Sequence, residues 1–204
     1  LWHNASKVGF QGSRSIKSYK FMKHSTQIID AGGKRYFLTW TADSDVTKYT
    51  PITHVHGIIF NDAGEILIGR PKPTGSWTIL GGKVEAGETI EQTLRRELME
   101  EVNITVDKIY ILGVQKVEVP NDPRDEKNPY FQVRCVALLN ELLPQTPDPG
   151  APQATIWERV FVPNKNIEQY ILWGENGHAM FEEAINLYTT ELAKKASRPW
   201  LKSF

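Results

Sequence analysis

The order of periodic segments predicts an α/β fold, a sandwich built on a mixed β-sheet and preceded by an N-terminal β-hairpin extension. Three observations carry it. Strand-like runs broken by Gly-rich turns fill the first third of the chain, a capped amphipathic helix follows from Thr89, and a second helical repeat runs from Met180 to Leu192. With 204 residues, 40% hydrophobic and 24% charged, the chain is long enough to bury one sizeable core.

Gln27–Asp30 and Arg35–Trp40 flank the turn Asp30-Ala-Gly-Gly33 and predict the first hairpin. His54–Phe60 and Glu65–Gly69 flank Asn61-Asp-Ala-Gly64 and predict a second, at which the main sheet begins. After Trp77–Leu80 and Gly81-Gly82, Thr89-x-x-Gln92 is a capping-box pattern, so a helix should run from there to about Val102. Ile109–Val119 and Tyr130–Asn140 read as strands around a polar loop at Pro120–Pro129, and Thr155–Val162 as another beyond the proline-rich Pro144–Pro152. Met180, Phe181, Ala184, Ile185, Tyr188 and Leu192 recur at helical spacing and should pack on the sheet.

Charge is balanced, 24 Lys and Arg against 24 Asp and Glu, so no overall field attracts nucleic acid or a membrane surface, and neither partner is expected. No run approaches the 18 or so apolar residues of a membrane span. A single cysteine, Cys135, excludes an internal disulfide and fits a reducing, cytoplasmic setting in which it is a small core side chain.

The chemistry concentrates in Gly82–Ile104, GKVEAGETIEQTLRRELMEEVNI. On a helix Glu97, Glu100 and Glu101 fall at i, i+3 and i+4, so three carboxylates share one face beside the apolar stripe Ile90, Leu94, Leu98 and Val102. At an effective dielectric near 20, like charges about 5 Å apart repel by roughly 3 kcal/mol per pair, so in a cleft the cluster calls for a cation. Hard oxygen donors with no neighbouring His or Cys favour Mg²⁺ or Mn²⁺ over zinc. An isolated E-x-x-E-E would be read as a solvated acidic face, with a favourable Glu91–Arg95 pair on its outer side. Here Gly82, Glu88 and Arg96 stand at fixed offsets from the acids, and six such matches arise by chance on the order of 10⁻⁷ per starting point.

This spacing, G-x5-E-x7-R-E-L-x-E-E, resembles the Nudix box, the signature of metal-dependent hydrolases that cut diphosphate linkages in nucleotide derivatives. Asn103 stands where the family has glycine after the helix, and Asn also tolerates a left-handed cap. The resemblance implies the Nudix fold, an α/β/α sandwich with mixed sheet, over residues 49–204, with residues 1–48 as the hairpin extension. It implies a Mg²⁺ site (Mn²⁺ also suitable) made by Glu97, Glu100, Glu101 and the Gly81 carbonyl, and a catalytic set of Glu97, Glu100 and Arg96. Glu97 is the first choice of general base, with Glu118, Asp122, Asp125 and Glu126 as alternatives, while Arg96 orders the loop by pairing with a carboxylate such as Glu88. Gly82 and Gly87, with Glu88, shape that loop.

Weaker signals for substrate contact are Arg70 at a strand end, Trp77 and Tyr130. A solvated charge and a buried anchor are the competing readings of Arg70 and Trp77. His54 and His56 share a strand face and read as packed histidines before a metal pair. Pro120 and the hairpin are similar to features of ADP-ribose pyrophosphatases, whose arm exchanges strands in a homodimer, whereas Leu80-Gly-Gly-Lys-Val-Glu85 is similar to the MutT-like branch apart from Leu80. The expected function is Mg²⁺-dependent cleavage of a nucleoside di- or triphosphate derivative by a water activated at the metal. ADP-ribose or a nucleotide sugar is the alternative substrate, and a catalytically silent nucleotide- or RNA-binding module the alternative class.

Overall fold

The computed structural model describes residues 24–72, 75–120, 129–151 and 155–193. Its strands are β1 (His24–Ala31), β2 (Lys34–Thr41), β3 (Ile52–Phe60), β4 (Glu65–Pro71), β5 (Leu80–Lys83), β6 (Ile104–Glu118), β7 (Tyr130–Leu142) and β8 (Trp157–Pro163). Its helices are α1 (Ile90–Val102), the short α2 (Ile167–Tyr170) and α3 (Gly174–Leu187), which continues into a π-turn at Tyr188–Leu192. The strands form one mixed sheet in the order β1-β2-β6-β7-β3-β4-β8, with β5 paired to β3. Only β3 and β7 run parallel, the remaining pairs being antiparallel.

Helix α1 covers one face, packing Leu94, Leu98 and Val102 on Val55, Ile59 and Leu67. Helix α3 covers the other, packing Met180, Phe181 and Ala184 on Ile58, Phe60 and Ile66. Strand β3 is thus enclosed on both sides, which is why Ile58, Ile59 and Phe60 are all fully buried and the run does not alternate. Both hairpins form at the expected turns. The first is built into the chain's own sheet, since β2 pairs with β6 from Phe37–Glu118 to Thr41–Val114.

Three elements differ from expectation. Strand β6 starts at Ile104 and not Ile109, because its pairing with β7 shifts register between Val106 and Ile109 and carries the strand through the polar Asp107-Lys108. The four-residue α2 and the 3-10 turn at Asn164–Asn166 before it are too short to leave a helical period. No helix among the described residues is long and apolar enough to cross a membrane.

Candidate active site

Helix α1 begins as its sequence dictates. The Thr89 side chain accepts from Gln92 N–H at 3.2 Å while Gln92 Oε1 accepts from Thr89 N–H at 2.9 Å, closing the capping box. At the other end Asn103 sits in the left-handed region (φ 50°, ψ 60°) and its backbone N–H reaches Leu98 and Met99 carbonyls. Arg159, arriving from β8, donates to the carbonyl of Val102 and to Leu143 O (2.7 Å), placing a cation at the negative end of the helix. The helix is therefore anchored at both ends and along Leu94, Leu98 and Val102, which fixes the polar face carrying the acids.

On that face Arg96 is a clip. Nε and Nη2 grip the two oxygens of Glu88 at 2.7 and 3.0 Å, Nη2 also donates to Lys83 O, and Nη1 donates to Glu97 Oε1 (2.9 Å) and Glu100 Oε2 (3.0 Å). Glu88 further accepts from the Thr93 hydroxyl and Glu85 N–H. The Arg96 guanidinium and these two donors hold the Glu88 carboxyl down to about 2, a fixed anion that pins the loop between β5 and α1.

Glu101 behaves in the opposite way. It is only 7% exposed, receives the Gly81 N–H on Oε2 at 2.9 Å, and burial pushes its carboxyl up to about 8, the nearby charges of Glu97, Asp148 and Glu100 adding to the rise. Glu97 is raised too, chiefly by burial, against the pull of Arg96. Gly81 has φ 131°, and a side chain there would run into the Val55 carbonyl. A Cβ on Gly82 would stand 2.7 Å from the Glu97 carboxylate, so glycine is what lets that acid lie against the loop. Gly87 takes φ 86° in the following turn.

As the side chains stand, no three acidic, His or Cys groups among the described residues converge closely enough to coordinate one ion. The Arg96 Nη1 is shared by Glu97 and Glu100, so a cation already stands between those two acids. One oxygen of each of Glu97, Glu100 and Glu101 nevertheless carries no hydrogen bond among the described residues.

A fourth acid was not foreseen. Asp148, 9% exposed, enters from the loop between β7 and β8, held by Trp157 Nε1–H (3.0 Å) and Gly150 N–H (2.8 Å), and its charge raises both Glu97 and Glu101. A lone Asp in a proline-rich loop has no periodic or motif signal. Its approach to α1 follows from the antiparallel β4–β8 pairing, which sets Trp157 opposite Pro71.

Of the weaker candidates, Arg70 is an ion-pair partner of Glu158 (2.7 Å) and lies 4.5 Å over the half-buried Trp77 ring, so the two form one stack. Tyr130 opens β7 and lines a cavity under α3. His54 and His56 lie with rings 6.1 Å apart, and burial with the Arg134 charge lowers both, so they are packed neutral histidines. Among the alternative bases, Glu118 pairs with Lys116, while Asp122, Asp125 and Glu126 lie outside the described residues.

A family model described as NUDIX domain matches residues 50–171, more than half of the chain. The chain belongs to the Nudix family. The matched span takes in β3 to β8 and α1, so the acid cluster lies inside it. Among curated Nudix relatives, the oxidized purine nucleoside triphosphate hydrolase of Danio rerio is 48% identical over 58 residues, 27% of this chain and 37% of that protein. The NAD-capped RNA hydrolase NUDT12 of Homo sapiens is 33% identical over 131 residues, 59% of this chain and 27% of that protein. The ADP-ribose pyrophosphatase of Methanocaldococcus jannaschii is 36% identical over 98 residues, 45% of this chain and 57% of that protein. The chain thus spans less than two thirds of the length of these relatives. A point mutant of the Bacillus subtilis pyrophosphohydrolase BsRppH superposes with a TM-score of 0.56 over 72% of this chain and 89% of that chain, at 17% identity, and shows the shared fold.

Proposed function

We propose that the protein is a Mg²⁺-dependent Nudix hydrolase that cleaves a diphosphate linkage in a nucleotide derivative by attack of water at phosphorus. The observation that carries this reading is that α1 bears Glu97, Glu100 and Glu101 on one face, near enough to Asp148 for its charge to raise Glu97 and Glu101, with the Arg96–Glu88 clip beside them. The residues fit a hard divalent ion. Their donors are all oxygen, each box acid keeps one oxygen uncommitted, and burial and mutual repulsion raise Glu97 and Glu101. Glu97, Glu100, Glu101 and the Gly81 carbonyl would hold it, and when bound it supplies charge neutralisation at the diphosphate and acidifies water.

The remaining work belongs to the chain. Glu97, half-buried and with a carboxyl of raised proton affinity, takes the proton of the attacking water. Arg96 fixes the Glu97 carboxylate through Nη1 and acts by positioning. Glu101 is aimed by the Gly81 N–H. Asp148, its two oxygens already held by Trp157 and Gly150, adds fixed negative charge that favours a cation. The names of the relatives point to nucleoside triphosphates, capped RNA and ADP-ribose as candidate substrates.

The test is a panel of nucleoside triphosphates, oxidised nucleotides, ADP-ribose, nucleotide sugars and dinucleoside polyphosphates with Mg²⁺, products separated by chromatography. Glu97→Gln should slow turnover of the preferred substrate by about 10²–10⁴. Ligand binding with no cleavage on the whole panel would assign the chain to a silent binding module instead.

A further inference from the structure

Residues 144–150, between β7 and β8, form an exposed stretch without regular structure, and they break one rule of such loops. Their one charged side chain, Asp148, is also their one buried residue, 9% exposed. Both its oxygens accept from neutral donors, Trp157 Nε1–H at 3.0 Å and Gly150 N–H at 2.8 Å. Its charge is therefore held in the protein and offset by no bound cation of its own.

Trp157 sets where that charge stands. Its ring meets the Leu80 and Val102 side chains over Gly69, where a Cβ would lie 3.1 Å from the Trp157 ring, 2.7 Å from Leu80 and 3.4 Å from Val102. Leu80 and Val102 are the chain neighbours of Gly81 and Glu101, which are themselves joined by the 2.9 Å bond from Gly81 N–H to Glu101 Oε2. The indole thus wedges between the two residues that flank this contact and carries Asp148 on its nitrogen. Asp148 is close enough for its charge to act on Glu97 and Glu101.

The loop is tied down on its way to Asp148, and Asn103 makes most of the ties. Leu143 N–H donates to Asn103 O at 3.0 Å and Gln145 Nε2–H to Trp157 O at 2.7 Å. Thr146, two residues before Asp148, donates its N–H to Asn103 Oδ1 at 2.7 Å and accepts from Asn103 Nδ2–H on Oγ1 at 2.9 Å. Ending α1 needs only the left-handed backbone of residue 103, which glycine supplies equally. The Asn103 amide, in a residue 7% exposed, is surplus to that cap and is spent on Met99 O and Thr146.

We propose that Asn103 is a positioning residue for the metal site: its side chain latches residues 144–150 to the end of α1 and so holds Asp148 beside Glu97 and Glu101, raising the affinity of the site for a divalent cation. This role rests on the hydrolase reading, in which those acids hold the metal. Asp148 acts through space, because its oxygens are already spent. A loosened loop would let its carboxylate turn into water, where the same attraction is about fourfold weaker than at an effective dielectric near 20.

Calorimetric titration of the whole chain with Mn²⁺ alone reads the affinity apart from turnover. Asp148→Asn should weaken binding by about tenfold or more, as loss of a group behind the ligands does. Asn103→Gly keeps the helix cap, and Trp157→Phe keeps a ring over Gly69 while losing the N–H donor, so each should weaken binding by about fivefold. Neither should change it by more than about twofold when Asp148 is already Asn, because their effect passes through that carboxylate. Circular dichroism checks that the variants fold. If Asn103→Gly does not, Thr146→Ala, which removes half of the latch from an exposed loop, decides by weakening binding about twofold to threefold only while Asp148 is present. A lowered stability with unchanged Mn²⁺ affinity, or the same loss in both backgrounds, would leave Asn103 a purely structural tie and overturn the proposal. Tighter binding in Trp157→Phe would also overturn it, by making Asp148 a ligand that its hydrogen bonds restrain. Coupled losses of affinity in a chain that hydrolyses nothing on the substrate panel would keep the latch and remove the hydrolase reading. Hydrolysis with affinities unmoved by the variants would do the reverse, and no Mn²⁺ binding at all would overturn both.

Discussion

Asn103 does two jobs that different substitutions can separate. Its backbone takes a left-handed conformation to end α1, and its side chain joins Met99 O to Thr146, donating to both at 2.9 Å and accepting from Thr146 N–H at 2.7 Å. Asn103→Gly keeps the backbone and loses the tie, so it should cost about 1 kcal/mol. Asn103→Ala loses the tie and strains the cap, so it should cost about 2 kcal/mol or more. Urea denaturation measures both, and equal losses would mean that the conformation of residue 103 carries no strain. The backbone role was legible in the sequence, because Asn is the usual stand-in for glycine at such a cap. The partner was not, since Thr146 lies across β6 and β7 and nothing local points to it. Asp148, a few residues further, was hidden for the same reason.

At the scale of the element, α1 was the most legible part of the chain because its determinants are local. Cap, apolar stripe and acid face all sit within one window of sequence, and the Arg96–Glu88 pair spans only eight residues. Burial is what the sequence could not supply, and it divides Glu88 from Glu101. Glu88 falls to about 2 and remains an anion, whereas Glu101 rises to about 8 and is protonated at pH 7 when no cation faces it. A carboxyl whose folded pKa lies above its ordinary 4.5 stabilises the protein fully below that value and loses this contribution as pH climbs through about 8. In EDTA the melting temperature should therefore drop between pH 5 and pH 8 by more in the wild type than in Glu101→Gln, whose amide can still accept from Gly81 N–H. Scanning calorimetry across that range gives the comparison. Parallel pH profiles would mean that Glu101 is already ionised in the folded protein, and the picture of a buried, proton-holding acid would fail.

Across the whole molecule, the question is whether the first hairpin is an appendage or part of the core. Its sequence announced two strands and a turn, but not what they pair with, because strand order is decided by contacts far apart in the chain. The cavity under α3 was illegible for the same reason, as its walls come from β1, β2, β6, β7 and α3. The packing makes the hairpin integral. Trp40 is 1% exposed in the same apolar cluster as Phe60 and Phe181, β2 continues the sheet on β6, and Asn176 at the start of α3 donates to Leu38 O. Removing that contact would open the α3 core to water, a loss of several kcal/mol for a tryptophan alone, so local opening of β2 should cost nearly as much as global unfolding. Native-state hydrogen exchange should then find the β2 amides paired to β6 protected to the same free energy as the α1 amides. Strand β1 is expected to fray earlier, since its outer edge is unpaired in the described sheet and Ile28 is 56% exposed. Fast exchange through β2 with α1 still protected would make the hairpin a separately moving arm, and the cavity under α3 that β2 helps to wall would then be formed only part of the time.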